Sequence, residues 1–315
     1  MKKNVLATMM AGIMVCMSLA ACGGPGTAAT TTAAAGAESS AEQAAPAANA
    51  TKITISVPDP EASYIYAAAT EFANRAMEYS NGTLDISISG NGSLYGGDTA
   101  AGIKQLGAGS LQMLILASSV YASFEPGFNV ISVPYMFDDQ KQLLEYLNSE
   151  TADELFNRVN SMGINVVGKW TRSFREVTNS KRAITSPEDL KGLVLRVPNN
   201  SLYVEFFTAC GAVTTPMNFS EVYNALQLNT LDGQENPVDV PYSNKFYEVQ
   251  KYISFTNHMA DAWVVGINGK FFDSLTQEQK DAIMKAGGSA VECRHDGGAG
   301  SGCAEDSDRQ RYGGK

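Results

Sequence analysis

A chain of 315 residues is too long for one small core, so two domains or one large α/β unit are expected. Its 33 Asp plus Glu against 23 Lys plus Arg give a net charge of −10, and no basic run extends beyond Lys2-Lys3 and Lys181-Arg182, which excludes a nucleic-acid surface built on bulk charge. An anionic small molecule remains open to such a chain only through a few cations focused in a pocket.

The start, "MKKNVLATMMAGIMVCMSLAACGG", carries a basic end, an apolar stretch of about a dozen residues and small residues at its close, the pattern of a signal peptide. Leu19-Ala20-Ala21-Cys22 resembles a bacterial lipobox, so residues 1–22 are expected to be a lipoprotein signal with Cys22 as the acylated new N-terminus. That address is extracytoplasmic, with the protein held to the cell membrane by lipid. Residues 23–50 contain no large apolar side chain and are expected to be a flexible tether. Cys16 leaves with the signal, so Cys210, Cys293 and Cys303 remain. Their odd number and Gly-rich surroundings argue against both a structural disulfide and a metal site.

Folding is expected to begin near Thr51. "KITISV" alternates as a strand, residues 64–79 place Ile65, Ala68, Phe72 and Ala76 on one helical face, Asn81-Gly82 stops that helix, and "LDISIS" alternates again. This β-α-β order predicts a sheet with a crossover helix. The glycines Gly90, Gly92, Gly96 and Gly97 match no phosphate-binding pattern and suit a permissive loop at a cleft mouth. A helix capped near Asp98 and a strand at 112–117 follow, then a buried strand in "FNVISVPYMF" ending at Pro134, amphipathic helix, and a strand in "INVVGKW". Arg172 and Arg175 fall in a polar loop beyond that strand, where ligands gather in open α/β sheets.

Ser186, Pro187 and Gly192 bound a short helix. "LVLRVP" is then a strand, with Val194 and Arg196 on one face and Leu195 and Val197 on the other. A strand that buries Arg196 must meet its charge with an anion, either an internal carboxylate or a ligand's. Helix, short strand and helix follow. "TLDGQENPVDV" turns at Asp232-Gly233 and delivers Gln234, Glu235 and Asn236. Strands are expected in "KYISFTNH" and "AWVVGING", with Trp263 in the core, and Thr276 and Gln279 are spaced as a capping box for the last helix.

Four segments, "FREVTNSKRAI", "DLKGLVLRVPNN", "FSEVYNALQLNTLDGQENP" and "KFYEVQKYISFTNH", together resemble the DctP family, the solute-binding subunits of tripartite ATP-independent periplasmic (TRAP) transporters. The resemblance spans roughly residues 52–290. It implies an α/β, two-lobed periplasmic-binding-protein-like fold, type II-like, with each lobe a mixed sheet flanked by helices and a ligand cleft between lobes. It also implies lobe 1 at 51–172 with 262–291 returning to it, and lobe 2 at 173–261. The implied function is capture of an organic carboxylate (a C4-dicarboxylate, sugar acid or keto acid) by a monomer that passes it to membrane permease subunits, without cofactor or metal. The family's clamp arginine maps onto Arg196, its second site arginine onto Arg175, and its carboxylate-contacting asparagine onto Asn236. Trp170, Phe174 and Tyr64 are further candidates for the ligand wall, each suited to packing as well.

No GxSxG or HExxH pattern is present, and His258 and His295 are the only histidines, so catalysis finds no support. A subunit that reports its ligand to a receptor kinase would use the same fold and site. The stretch 292–315 has no Leu, Ile, Val, Phe or Met, departs from the family's C-terminal helix, and is expected to be an atypical disordered tail produced by truncation or a frameshift.

Overall fold

A computed structural model describes residues 49–288, together with the backbone of 292–293 and 303–304. The readings made for the signal, Cys22, the tether and the C-terminal tail, including the side chains of Cys293 and Cys303, lie outside the described residues. Strand β1 (Thr51–Ser56) leads into α1 (Tyr64–Tyr79), whose N-terminus is capped by Ser63 Oγ accepting from the Tyr66 amide. Ile65, Ala68, Ala69, Phe72, Ala73 and Ala76 form its buried face. Asn81 and Gly82, both left-handed, turn the chain into β2 (Leu84–Ser89), which pairs parallel with β1 through Ile53 with Ile86 and Ile55 with Ile88. Asp98 then caps α2 (Thr99–Ala108) by accepting from the Ala100 and Ala101 amides, and β3 (Met113–Ala117) is buried throughout.

After α3 (Ser118–Tyr121) the chain corrects one expectation. "FNVISVPYMF" forms no strand; Pro126–Ser132 is a 3-10 helix with Glu125 accepting from the Gly127 amide. Phe128 and Ile131, three residues apart, both face the core, a period that fits a 3-10 turn and not a strand. The amphipathic stretch that follows divides into α4 (Gln140–Leu147) and α5 (Glu150–Asn157), and β4 (Ile164–Thr171) closes this part of the chain.

The second sheet is assembled from β5 (Glu176–Asn179), β6 (Val194–Val197), β7 (Val213–Pro216), β8 (Gly233–Asn236) and β9 (Tyr252–Ser254) in the order β7-β6-β8-β5-β9. Helices α6 (Ser201–Ala209), α7 (Val222–Gln227) and α8 (Asp239–Ser243) connect them. The expected loop after Arg175 is therefore β5, paired with β8 and β9, and the "GQEN" segment expected at a turn is itself a strand. Both are buried and mostly polar: Val177 packs in the core, and the polar side chains are met by hydrogen bonds, many from outside the two strands, such as Arg175 to Glu235 and the Asn257 amide to Glu176. Between the strands, Gln234 Nε2 donates to Thr178 Oγ1 at 2.9 Å. Gly233 permits the close approach of β8 to β5: a Cβ there would lie 2.3 Å from the Thr178 carbonyl oxygen. The expected helix at 187–190 is a 3-10 turn, held by a Ser186 and Asp189 capping box.

Strand β10 (Ala262–Asn268) returns to the first sheet, inserting antiparallel between β3 and β4 to give the order β2-β1-β3-β10-β4. Helices α9 (Gly269–Ser274) and α10 (Gln277–Gly287) follow, the latter opened by the Thr276 and Gln279 capping box. The result is an α/β fold of two lobes, each a mixed parallel and antiparallel five-stranded sheet with helices against it. Segments 172–175 and 255–261 connect the sheets, and no helix among the described residues is long and apolar enough to cross a membrane.

Candidate ligand cavity between the two sheets

Arg196 reaches the site because β6 alternates. Leu195 and Val197 pack with Tyr203 and Phe207 in the core of the second lobe, so Arg196 points away from that core into a cavity of about 60 Å³. By the ~10–15 Å³ that one water-sized sphere occupies, this is room for a small solute and not for a polypeptide segment. The residue is only 4 % exposed. Its Nε and Nη2 donate to the Met217 carbonyl at 3.1 and 2.7 Å, and its face lies 5.9 Å from the Phe219 ring centre. Among the described residues no carboxylate forms an ion pair with it, and Nη1 has no protein acceptor. Burial pushes its pKa down to about 10, a depression that the Glu235 charge only partly offsets. Arg196 therefore remains a cation at neutral pH, its desolvation only partly offset and with no ion-pair partner among the described residues.

Arg175 presents the opposite case. Its Nε and Nη2 grip Glu235 in a two-pronged pair at 2.5 and 2.8 Å, Nη2 also reaches the Glu235 carbonyl and Asn236 Oδ1, and Nη1 donates to Asp261 Oδ2 at 3.0 Å. Burial alone would depress its pKa, but the adjacent Glu235 charge raises it above the usual arginine range. In Glu235, burial works toward a higher pKa, and the Arg175 charge with the His258 hydrogen bond overcomes it, bringing the carboxyl to about 2. Asp261, fully buried, accepts from Arg175, from Arg172 at 2.9 Å and from the Ser118 and Ser119 hydroxyls at 2.8 Å each. Arg175 lines the cavity, yet its charge is answered inside the protein.

Asn236 ends β8 on the cavity wall. Its Oδ1 accepts from Arg175 and one Nδ2 hydrogen goes to Gln234 Oε1 at 2.7 Å, which leaves one amide hydrogen for a ligand. The other sequence candidates lie elsewhere. Trp170 packs in the core against Phe72 and donates its indole N–H to the Gly287 carbonyl at 3.2 Å, away from the cavity. Phe174 is half-buried against the core on the β4 side of the first lobe, and Tyr64 is the half-buried first residue of α1; neither lines the cavity. Trp263, expected in the core, is buried in the first lobe's core and also forms part of the cavity wall, carrying the Arg172 guanidinium 4.1 Å above its ring. Its position in an unbroken apolar strand hid this. His258 is buried behind Glu235 and does not line the cavity; burial lowers its pKa and keeps it neutral, against the pull of Glu235.

Asp59 was not singled out by pattern. It follows β1 in "SVPDP", at the carboxyl end of a sheet strand, which is the one signal that pointed to it. It is 4 % exposed, lines the cavity from the first lobe, and accepts from Asn244 Nδ2 of the second lobe at 3.0 Å. Burial raises its pKa to about 6, with Asn244 and Arg172 pulling the other way. Further bonds cross between lobes: Ser220 Oγ to the Gly97 carbonyl at 3.3 Å, Asn200 Nδ2 to the Ser119 carbonyl at 2.9 Å, and Ser123 Oγ to the Asn199 carbonyl at 2.7 Å. Gly97 is left-handed and sits against Ser220 so closely that a Cβ would lie 2.6 Å from it. Among the described residues no group of His, Cys, Asp and Glu is arranged to hold a metal. Cys210 is a half-buried free thiol.

The family model for bacterial extracellular solute-binding protein, family 7 (DctP) matches residues 56–296. The 2,3-diketo-L-gulonate-binding periplasmic protein YiaO of Escherichia coli K12 is 33 % identical over 219 residues, covering 70 % of this chain and 66 % of its own length. The sugar acid binding protein DctPAm of Advenella mimigardefordensis, solved with galactonate, superposes with a TM-score of 0.73 at 32 % identity over 76 % of each chain. A TRAP periplasmic solute-binding protein of Sulfurospirillum deleyianum, solved with succinate, gives 0.70 at 28 % identity over 75 % of each chain. The chain belongs to the DctP family of extracellular solute-binding proteins of TRAP transporters.

Proposed function

We propose that the protein captures a small organic carboxylate outside the cytoplasmic membrane, with Arg196 as the carboxylate clamp, and delivers it to TRAP permease subunits. The carrying observation is a buried arginine, facing a cavity, with which no carboxylate among the described residues forms an ion pair. Guanidinium and carboxylate are planar and pair through parallel hydrogen bonds, and a water-poor cavity strengthens the attraction. Asn236 adds an amide donor beside it. Arg175 is less a ligand contact than the tie that orients Asn236 and Glu235 below the cavity. A relative named for 2,3-diketo-L-gulonate, and relatives solved with galactonate and with succinate, support sugar acids, keto acids and C4-dicarboxylates as candidates. Cys22 would hold the protein to the membrane as a monomer through its lipid.

A melting-temperature screen of organic acids against the matching neutral amides tests this reading. A ligand at about 100 times its Kd stabilises the folded state by about 2.7 kcal/mol, a shift of several degrees. The reading expects such a shift from at least one acid and none from its amide. Equal shifts from acid and amide would remove the clamp, and no shift from any acid would remove the solute-binding role.

A further inference from the structure

We propose that Asp59 reads the end of the ligand far from its carboxylate, and that it makes this cavity a site for hydroxy monocarboxylates such as sugar acids in preference to dicarboxylates. The inference rests on the solute-binding reading above and deepens it.

The argument begins with charge. Three guanidinium groups (Arg172, Arg175 and Arg196) meet three carboxyl groups (Asp59, Glu235 and Asp261) in and directly behind the cavity. Arg175 pairs with Glu235 and Asp261, and Arg172 pairs with Asp261 while stacked on Trp263. Among the described residues, the two of these six groups without an ion-pair partner are Arg196, on the second lobe, and Asp59, on the first. A ligand spanning the cavity thus meets a cation at one wall and a carboxyl at the other. Its carboxylate satisfies Arg196. The opposite end meets Asp59, whose Oδ1 accepts from Asn244 and whose Oδ2 has no protein donor among the described residues.

A hydroxyl at that end donates to Oδ2. A second carboxylate at the same place sets like charges together in a buried site, where the neighbouring cation, Arg172, is already paired with Asp261 through Nη1. The groups that face Asp59 are Arg172, which favours its ionised form, Asp239, which opposes it, Asn244, which donates to it, and the buried Tyr95 phenol, whose own ionisation the Asp59 charge opposes. Only by binding a proton does Asp59 become compatible with a second carboxylate.

Calorimetric titration with D-erythronate and succinate, two acids of equal carbon count, tests the inference at about pH 7.5, where Asp59 is ionised. The wild type is expected to bind the hydroxy acid at least about 10-fold more tightly, as suits one charge-assisted hydrogen bond gained against one repulsion incurred. Asp59→Asn, which keeps the shape and removes the charge, is expected to bring the two affinities to within about 3-fold by strengthening succinate. Arg196→Ala is expected to lose both acids. Succinate bound as tightly as erythronate by the wild type, or a preference unchanged in Asp59→Asn, overturns the role of Asp59 and leaves the solute-binding reading standing. Absence of binding across a wider panel of hydroxy acids and dicarboxylates overturns both.

Discussion

At the scale of single residues, two arginines that look alike in the sequence differ in how their charge is met. Among the described residues the Arg196 side chain bonds only a backbone carbonyl, whereas Arg175 is held by Glu235, Asp261 and Asn236. The strand alternation around Arg196 was legible, because Leu195 and Val197 mark the opposite face. The partners of Arg175 were not, since Glu235 and Asp261 lie 60 and 86 positions away and no local period brings them together. Glu235→Gln is expected to destabilise the fold by about 3–5 kcal/mol in denaturant unfolding, because it strands a buried guanidinium. A cost below about 1 kcal/mol would show that Asp261 alone suffices. Asp59 gives a pH signature of its own. Its native pKa of about 6 stands above the ordinary 3.8, so the folded state holds a proton that the unfolded state has released between those values. Stability attributable to this group is therefore present below about pH 4 and declines as pH rises toward about 6, by about 3 kcal/mol at most. His258 and Glu235 slope the other way, each losing stability on acidification, so the test is the difference between wild type and Asp59→Asn across that window. Parallel curves would contradict it.

At the scale of elements, apolar periodicity found the strands and helices that pack a core: β1, α1, β2, β3, β4 and β10. It failed where polarity is turned inward. Strands β5 and β8 read as loop and turn because Glu176, Thr178, Gln234, Glu235 and Asn236 are polar yet buried, their groups met by one another and by Arg175, His258 and the Asn257 amide. Proline misled in the other direction, since the apolar run before Pro134 is a 3-10 helix opened by Pro126. Capping chemistry was more dependable. Thr276 Oγ1 accepts from the Gln279 amide at 3.3 Å while Gln279 Oε1 accepts from the Thr276 amide at 3.2 Å. Gln279 also donates to the Thr83 carbonyl and Thr51 hydroxyl, tying α10 to the beginning of the first sheet. Thr276→Ala is expected to cost about 1 kcal/mol in urea unfolding, and no measurable change would mean the cap is redundant with the Gln279 ties.

At the scale of the whole molecule, the two sheets meet around a cavity whose charged residues are almost wholly buried, and hydrogen bonds from Asn244, Ser220, Asn200 and Ser123 span the lobes. Ligand entry through a parting of the lobes would have to break these contacts, and closure would have to restore the approach of Gly97 to Ser220. Ser220→Leu, bulky at that contact and free of backbone strain, is expected to weaken ligand binding by about 10-fold while leaving the ligand-free melting temperature within a few degrees of wild type. Unchanged affinity would show that binding does not require this closure. The central claim, that Arg196 meets the ligand's carboxylate, is tested most directly by titrating Arg196→Ala and wild type with the acid that most stabilises the wild type. The account predicts a loss of at least about 100-fold in affinity with the fold retained; an affinity within about 3-fold of wild type would contradict it.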